Sequence, residues 1–327
     1  ITDRVMRKLG LNGRSIIPLV GGFACAIPSI MATRSIKSKR ERLATMIVVP
    51  LMSCSARLPV YVLLVSVAIP FSQFWGPFHA QTFVITAAYM AGIVVAILLA
   101  FVFNLIHKKE STSEFILELP AYQIPRIQTV LHQAWLKCLS FLSEAGKVII
   151  IISMILWFLS NFGPAEAMKK TENEAHIIQQ LDPSNTQDIQ TTLRLEASYA
   201  GHLGKWIEPA IEPLGYDWKT GIALITSFAA REVFVGTMAT LFQSNEDNTQ
   251  GIIEKMQAIK DPKTGEPLYG LPYALSLIVF YAFALQCMST MAVMKRETGS
   301  WTWPVALFLI YGVIAYLGAY MVYHIAI

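Results

Sequence analysis

Charge is what this sequence has least of. Asp, Glu, Lys and Arg make up 15% of its 327 residues, against about 25% in soluble domains. The surplus of +4 is small and excludes the concentrated basic face of a nucleic-acid binder. Cysteine is sparse too. Cys25, Cys54, Cys138 and Cys287 lie far apart and never as CxxC, so neither a zinc ribbon nor a disulfide scaffold is indicated. No GxxxxGK[ST] run occurs, so the chain has no phosphate-cradling loop of its own. No HExxH pair or Ser-His-Asp arrangement stands out, and the six histidines are scattered. No signal peptide is recognisable and the first residue is Ile1, so a piece of a longer protein is expected.

What is abundant is apolar sequence, in blocks. Hydrophobic residues reach 54% and the mean hydropathy is +0.48. A spanning helix needs about 20 mainly apolar residues. Residues 43–71, 82–106, 272–294 and 303–324 qualify. Residues 139–161 form a less even fifth candidate, with Glu144 and Lys147 near its start. Two further apolar segments, 13–33 and 220–242, are broken. Residues 107–138 alternate Phe115, Ile116, Leu119, Tyr122 and Ile127 with charge, and read as an interfacial segment. Residues 162–218 and 244–270 are polar, with a helical stretch near 192–206.

Basic residues in short loops set orientation. Arg34, Lys37, Lys39, Arg40 and Arg42 place the loop after the first broken segment on the cytoplasmic side. Arg4, Arg7, Lys8 and Arg14 place its beginning there as well. Both ends on one side make 13–33 a re-entrant hairpin, broken at Pro18, Gly21-Gly22 and Pro28. If 220–242 is a second such hairpin, Lys295 and Arg296 also fall inside. The count is then five spans and two hairpins. Phe23-Ala24-Cys25-Ala26 followed by Met31-Ala32-Thr33 is echoed by Phe228-Ala229-Ala230-Arg231 followed by Met238-Ala239-Thr240. Inverted repeats with broken helices are a transporter architecture. The expected fold is therefore all-α: a polytopic transmembrane helical bundle with two re-entrant gate segments in an inverted repeat. Its divisions are a first gate unit with two spans (1–106), an interfacial segment with one span (107–161), an external polar region (162–218) and a second gate unit with two spans (219–327).

Charges at membrane depth cost on the order of 2.5–3.5 kcal/mol each on insertion scales. Arg57, Arg231 and Glu232 fall there. Two readings stand: a structural ion pair such as Arg57 with Glu232, or charges that line or gate a hydrophilic path. Cys25, Cys54 and Cys287 also fall at depth, in or beside broken backbone. A buried cysteine is ordinarily a small hydrophobe, but thiolate suits softer transition metals. Pro50 and Pro59 interrupt helical hydrogen bonds to Met46 and Ser55. A carbonyl freed next to Cys54 is a candidate cation ligand; a plain proline kink is the alternative. Met288, Met291 and Met294 at helical spacing read as packing.

Several strings are specific. They are Gly22-Phe23-Ala24-Cys25-Ala26-Ile27-Pro28-Ser29, Arg40-Glu41-Arg42-Leu43, and Met52-Ser53-Cys54-Ser55-Ala56-Arg57-Leu58-Pro59-Val60-Tyr61. Further ones are Glu118-Leu119-Pro120-Ala121-Tyr122, Ala229-Ala230-Arg231-Glu232-Val233-Phe234-Val235-Gly236-Thr237, Gln286-Cys287-Met288-Ser289-Thr290 and Lys295-Arg296-Glu297-Thr298-Gly299. Together they resemble the membrane part of FeoB, the bacterial ferrous iron transport proteins B, over nearly the whole chain. Ala24 stands where many members have Gly.

The resemblance implies Fe²⁺ import across the bacterial cytoplasmic (inner) membrane by a multi-pass protein. It implies an amino-terminal G-protein domain that this chain lacks, and so no nucleotide site here. Small accessory proteins and a homo-oligomer are further expected partners, beside Fe²⁺ and the lipid bilayer; nucleic acid is not. The chain is expected to be a transporter domain and not an enzyme. Cys25, Cys54 and Cys287 match positions on the family's iron path. Ser53, Ser55, Ser289 and Thr290 are the expected oxygen ligands, and Glu232, with Arg231 or Arg57, the path or gating charges. The rival readings are an organic-solute carrier such as a nucleoside transporter, a membrane thiol oxidoreductase using Cys25 with Cys54, and a purely structural subunit.

Overall fold

The computed structural model describes residues 13–69, 74–75, 78–106, 126–141, 147–164, 197–228, 231–242, 249–259, 267–285 and 287–327, with a few single positions elsewhere. Among them the chain is helical except for a two-residue antiparallel pairing of β1 (Phe74–Trp75) with β2 (Phe78–His79). Four helical stretches are long and apolar enough to cross a membrane: Lys39–Ala68, Ala80–Phe103, Leu271–Thr298 and Thr302–Ala326. This is an integral membrane protein. The four coincide with the four best apolar runs of the sequence.

Two of those spans are not single helices. Lys39–Ala68 contains α3 (Lys39–Val48) and α4 (Leu58–Ala68), joined through short 3₁₀ turns. Met52, Ser53 and Cys54 lie between the turns, outside any helix. Pro59 sits in the first turn of α4, where a missing N–H costs nothing. The proline thus starts a new helix and does not kink an old one. Leu271–Thr298 likewise divides into α12 (Leu271–Phe283) and α13 (Met288–Thr298). The other two are continuous: α5 (Ala80–Ile106) and α14 (Thr302–Ala326).

Both apolar segments that read as broken are broken. The first comprises α1 (Ile16–Gly22) and α2 (Ala26–Ala32). Gly21 and Gly22 weaken the helix end, and Pro28 falls in the first turn of α2, where proline is tolerated. Ser29 Oγ donates to the Pro18 carbonyl and ties the two arms together. The second comprises α9 (Trp218–Thr226) and α10 (Val233–Leu241), tied by a 2.8 Å hydrogen bond between Thr226 and Thr237 hydroxyls.

The remaining elements are α6 (Ile127–Phe141), α7 (Lys147–Asn161), α8 (Tyr199–Ile211) and α11 (Thr249–Ala258). With 15 residues, α7 is about 22 Å long, shorter than a bilayer core of about 30 Å. The fifth expected span is thus present as a helix of less than spanning length among the described residues. The helix expected near 192–206 runs instead as α8 from Tyr199, where Ser198 caps it by accepting from Gly201 N–H. Phe115, Ile116, Leu119 and Tyr122 lie outside the described residues.

The chain forms two compact units. The first takes in Ile1–Ser55, Met90–Ile150 and Met288–Phe308; the second takes in Ala56–Tyr89, Ile151–Cys287 and Leu309–Ile327. In the first unit α13 packs on α2. In the second, α4 packs against α10, α11 and α12. That core includes Leu64, Phe234, Leu277 and Tyr281, and also Ile252 and Met256 of α11. The polar region 244–270 therefore contributes an amphipathic helix to the core.

Candidate functional site at the helix breaks

A helix that stops inside a membrane leaves N–H and C=O groups without intrahelical partners. Where those groups find partners decides what a break can do. Among the described residues, four breaks interrupt the helices of the apolar segments.

The first lies at Phe23–Cys25. Ala24 and Cys25 N–H groups both donate to Gly21 O, at 3.0 and 3.1 Å, closing α1. Cys25 is extended and precedes α2 directly. The second lies at Met52–Cys54. Ser55 joins the two. Its N–H donates to Phe23 O at 2.9 Å, and its hydroxyl donates to Ala24 O at 3.0 Å. Cys54 is therefore next to the donor of both bonds, and Cys25 is next to one of their two acceptors. Both thiols are half-buried and neither is in a disulfide. Ser53 is fully buried and lies against Gly92 of α5. A Cβ at position 92 would stand 2.9 Å from Ser53 Oγ and 3.2 Å from Leu51 O. Glycine is what lets α5 pass this close.

The third break lies between α9 and α10; Ala229 and Ala230 within it are outside the described residues. Ser227 Oγ turns back to Leu224 O at 2.7 Å. Arg231 is buried, and its guanidinium donates to Tyr281 O at 3.3 Å and Ala284 O at 3.0 Å. Those are carbonyls at the end of α12, where the fourth break begins. Arg231 thus does for the third and fourth breaks what Ser55 does for the first and second. An ion pair between Arg231 and Glu232 is not formed. Glu232 is exposed, and among the described residues its carboxylate has no ion-pair or hydrogen-bond partner. The expected Arg57–Glu232 pair is likewise absent. Arg57 itself is fully buried, in the turn that precedes α4.

In the fourth break Cys287 is half-buried and free of disulfide, directly ahead of α13. Ser289 and Thr290 follow in its first turn, 1% and 2% exposed. Among the described residues, buried Ser289 Oγ has no hydrogen-bond partner. Such a hydroxyl costs about 1–3 kcal/mol when nothing accepts or donates to it. Cys138 is exposed, away from any break. Among the described residues, no three of His, Cys, Asp or Glu gather as a metal-binding group. The donors at the breaks are instead single thiols, hydroxyls and carbonyl oxygens.

A polar network that the sequence did not signal fixes the start of α9. Asp217 caps it, accepting from Thr220 N–H at 2.9 Å and Thr220 Oγ1 at 2.7 Å. Its other oxygen accepts from Tyr269 at 2.6 Å. Thr220 and Tyr273 hydroxyls are 2.9 Å apart. Burial, and then the Asp217 charge, raise the Tyr269 phenol well above its ordinary range.

Against this geometry, the comparisons are specific. A family model described as nucleoside recognition, the Gate family, matches residues 1–68 and 142–301, which contain all four breaks. A second, described as the ferrous iron transport protein B C terminus, matches residues 85–137. The Fe(2+) transporter FeoB of Leptospira biflexa is 42% identical over 99% of the chain. The chain belongs to the FeoB family. The FeoB of Methanocaldococcus jannaschii is 35% identical over 93% of the chain. An Fe(2+) transport protein A/FeoB fusion of Porphyromonas gingivalis is 33% identical over 100% of the chain. The chain spans 44%, 40% and 39% of these FeoB proteins respectively, so it corresponds to less than half of each. No solved structure matches it.

Proposed function

We propose that this chain is the membrane part of a ferrous iron transporter and that Fe²⁺ passes along its helix breaks. One observation carries the reading: Cys25, Cys54 and Cys287 each lie half-buried in a break, a placement chance would not repeat three times. A half-buried thiol beside irregular backbone is open to an ion in a way that one packed into a helix face is not. Irregular backbone at membrane depth is tolerated where it lines a cavity, which supports the same reading.

The chemistry follows from the donors. In the first unit Cys25 and Cys54 offer soft sulfur, with Ser53 and Ser55 offering oxygen. In the second Cys287 does so, with Ser289 and Thr290 next in sequence. Sulfur favours a transition metal over Mg²⁺ or Ca²⁺, which take oxygen. Glu232 attracts the cation. Arg231 gates by competition: while it holds Tyr281 O and Ala284 O, those carbonyls are withheld from the ion. Its release frees two oxygens beside Cys287 and removes a repelling charge.

The finer architecture belongs to the same proposal. The two broken segments are re-entrant hairpins of an inverted repeat, with five full spans in the bacterial inner membrane. The divisions at 106, 161 and 218 separate its gate units from the interfacial and external segments. The full-length protein adds a G-protein domain, and the fused transport protein A in Porphyromonas gingivalis supports a small accessory partner. A homo-oligomer is part of the proposal.

Anaerobic Fe²⁺ uptake into vesicles by the full-length protein tests it. Cys54→Ser and Cys287→Ser each reduce uptake with membrane expression unchanged; normal uptake in both removes the ligand role. The family description of nucleoside recognition favours a second reading, an organic-solute carrier. Uptake of labelled nucleoside in place of Fe²⁺ in the same vesicles decides for it.

A further inference from the structure

Two segments far apart in sequence, 34–42 and 295–303, are joined in the first unit by one carboxylate. Glu297 accepts from Arg34 Nε at 2.9 and 3.1 Å, and ion-pairs with the terminal nitrogens of both Arg34 and Arg42. Its side chain is 3% exposed. Bidentate arginine contacts of this kind are directional and strong. The joint has a consequence for charge. Glu297 is fully engaged with two guanidinium groups, so its negative charge is not presented outward. Lys37, Lys39, Lys295 and Arg296 are all exposed around it, and Arg40 is half-buried. Glu41 is the remaining acid of the two segments.

The depth of this basic surface is marked by tryptophan. Gly299, with φ +72°, turns the chain out of α13. Trp301 and Trp303 follow at the start of α14, 50% and 36% exposed. Exposed tryptophans at the end of a spanning helix sit at head-group level. Lys295 Nζ lies 4.9 Å from the centre of the Trp301 ring, which fixes the cation at that same level. A soluble partner would meet the chain beyond the head groups, whereas a lipid phosphate lies among them.

We infer that this bipartite surface binds the head groups of anionic phospholipids, with Lys37 and Lys39 contributed by one segment and Lys295 and Arg296 by the other. Glu297 is its organiser: it holds the two halves together and keeps its own charge turned inward. The inference rests on the chain being a membrane protein and is independent of which ion it moves.

The test is lipid retention by the full-length protein in detergent, measured by native mass spectrometry with phosphatidylglycerol and phosphatidylcholine of matched acyl chains. Phosphatidylglycerol is retained preferentially, and the preference fades as salt is raised. Lys37→Ala/Lys39→Ala and Lys295→Ala/Arg296→Ala each weaken it, by about fivefold per cation removed. All four positions are exposed, so folding is preserved, and unchanged thermal unfolding confirms it. Equal retention of both lipids overturns the inference. So does loss in only one of the double variants, since a bipartite surface needs both halves. If both keep their lipid preference but release a soluble domain or partner, the surface is a protein dock and the lipid assignment fails.

Discussion

At the scale of single residues, two side chains do the joining that helices cannot. Ser55 satisfies Phe23 O and Ala24 O, and Arg231 satisfies Tyr281 O and Ala284 O. Hydrogen bonds from a charged donor are worth about 1.5–3 kcal/mol. Removing Arg231 leaves two buried carbonyls unpaired. Arg231→Met therefore lowers the thermal stability of the purified protein. Arg231→Lys recovers part of it, because an ammonium lacks the planar fork that reaches two carbonyls at once. Equal stability of all three proteins contradicts the joint. Gly92 is a second sensitive point. Gly92→Ala presses a methyl against Ser53 Oγ and Leu51 O, and such overpacking costs about 1–3 kcal/mol. A stability scan that leaves the midpoint unmoved rules that contact out.

At the scale of elements, the sequence made the helices legible but only some of their interruptions. Pro18, Gly21-Gly22 and Pro28 point to the first break because those residues disfavour a continuous helix for local reasons. At Met52–Cys54 the prolines alone leave a kink and a freed carbonyl as alternatives within one helix. Pro50 and Pro59 sit in the first turns of new helical segments, where they stabilise a start. The interruption ahead of Cys287 carries neither Gly nor Pro within 284–287. It is held by Arg231, far away in sequence, so no local pattern could reveal it. Cys25, Cys54 and Cys287 lie in broken backbone, as their surroundings in the sequence suggest, whereas nothing local points to the partners of Arg231. Charge pairing suggests a carboxylate; the fold supplies carbonyls. The Asp217–Tyr269 cap was invisible for the same reason.

That cap makes a pH prediction. The folded protein keeps the Tyr269 proton, whereas an unfolded tyrosine gives it up near pH 10. Its contribution to stability is complete below that value and is lost as pH rises beyond it. Between about pH 8 and about pH 11, the native protein loses more thermal stability than Tyr269→Phe. Equal losses exclude the cap as the source.

At the scale of the whole molecule, composition settled the class early. Four apolar runs became four membrane-capable stretches, since only length and hydropathy were at stake. What the runs could not show is how the chain is divided. The chain passes between its two compact units at 55/56, 89/90, 150/151, 287/288 and 308/309, and the first and fourth of these points lie beside Cys54 and at Cys287. Under the proposed transport role, a cysteine-reactive probe reports on these crossing points. Labelling at Cys54 and Cys287 is slowed by Fe²⁺ under anaerobic conditions, while labelling at exposed Cys138 is unaffected. Protection of Cys138 alone speaks against the ion meeting the breaks.

Ser55 carries a mechanical consequence. Because one residue grips both Phe23 O and Ala24 O, the loops bearing Cys25 and Cys54 are tied directly to each other. Under the proposed transport role, these two bonds hold their separation steady through the working cycle. A short bifunctional thiol reagent bridging the two should leave the protein's motions intact and silence it only by filling the space between them.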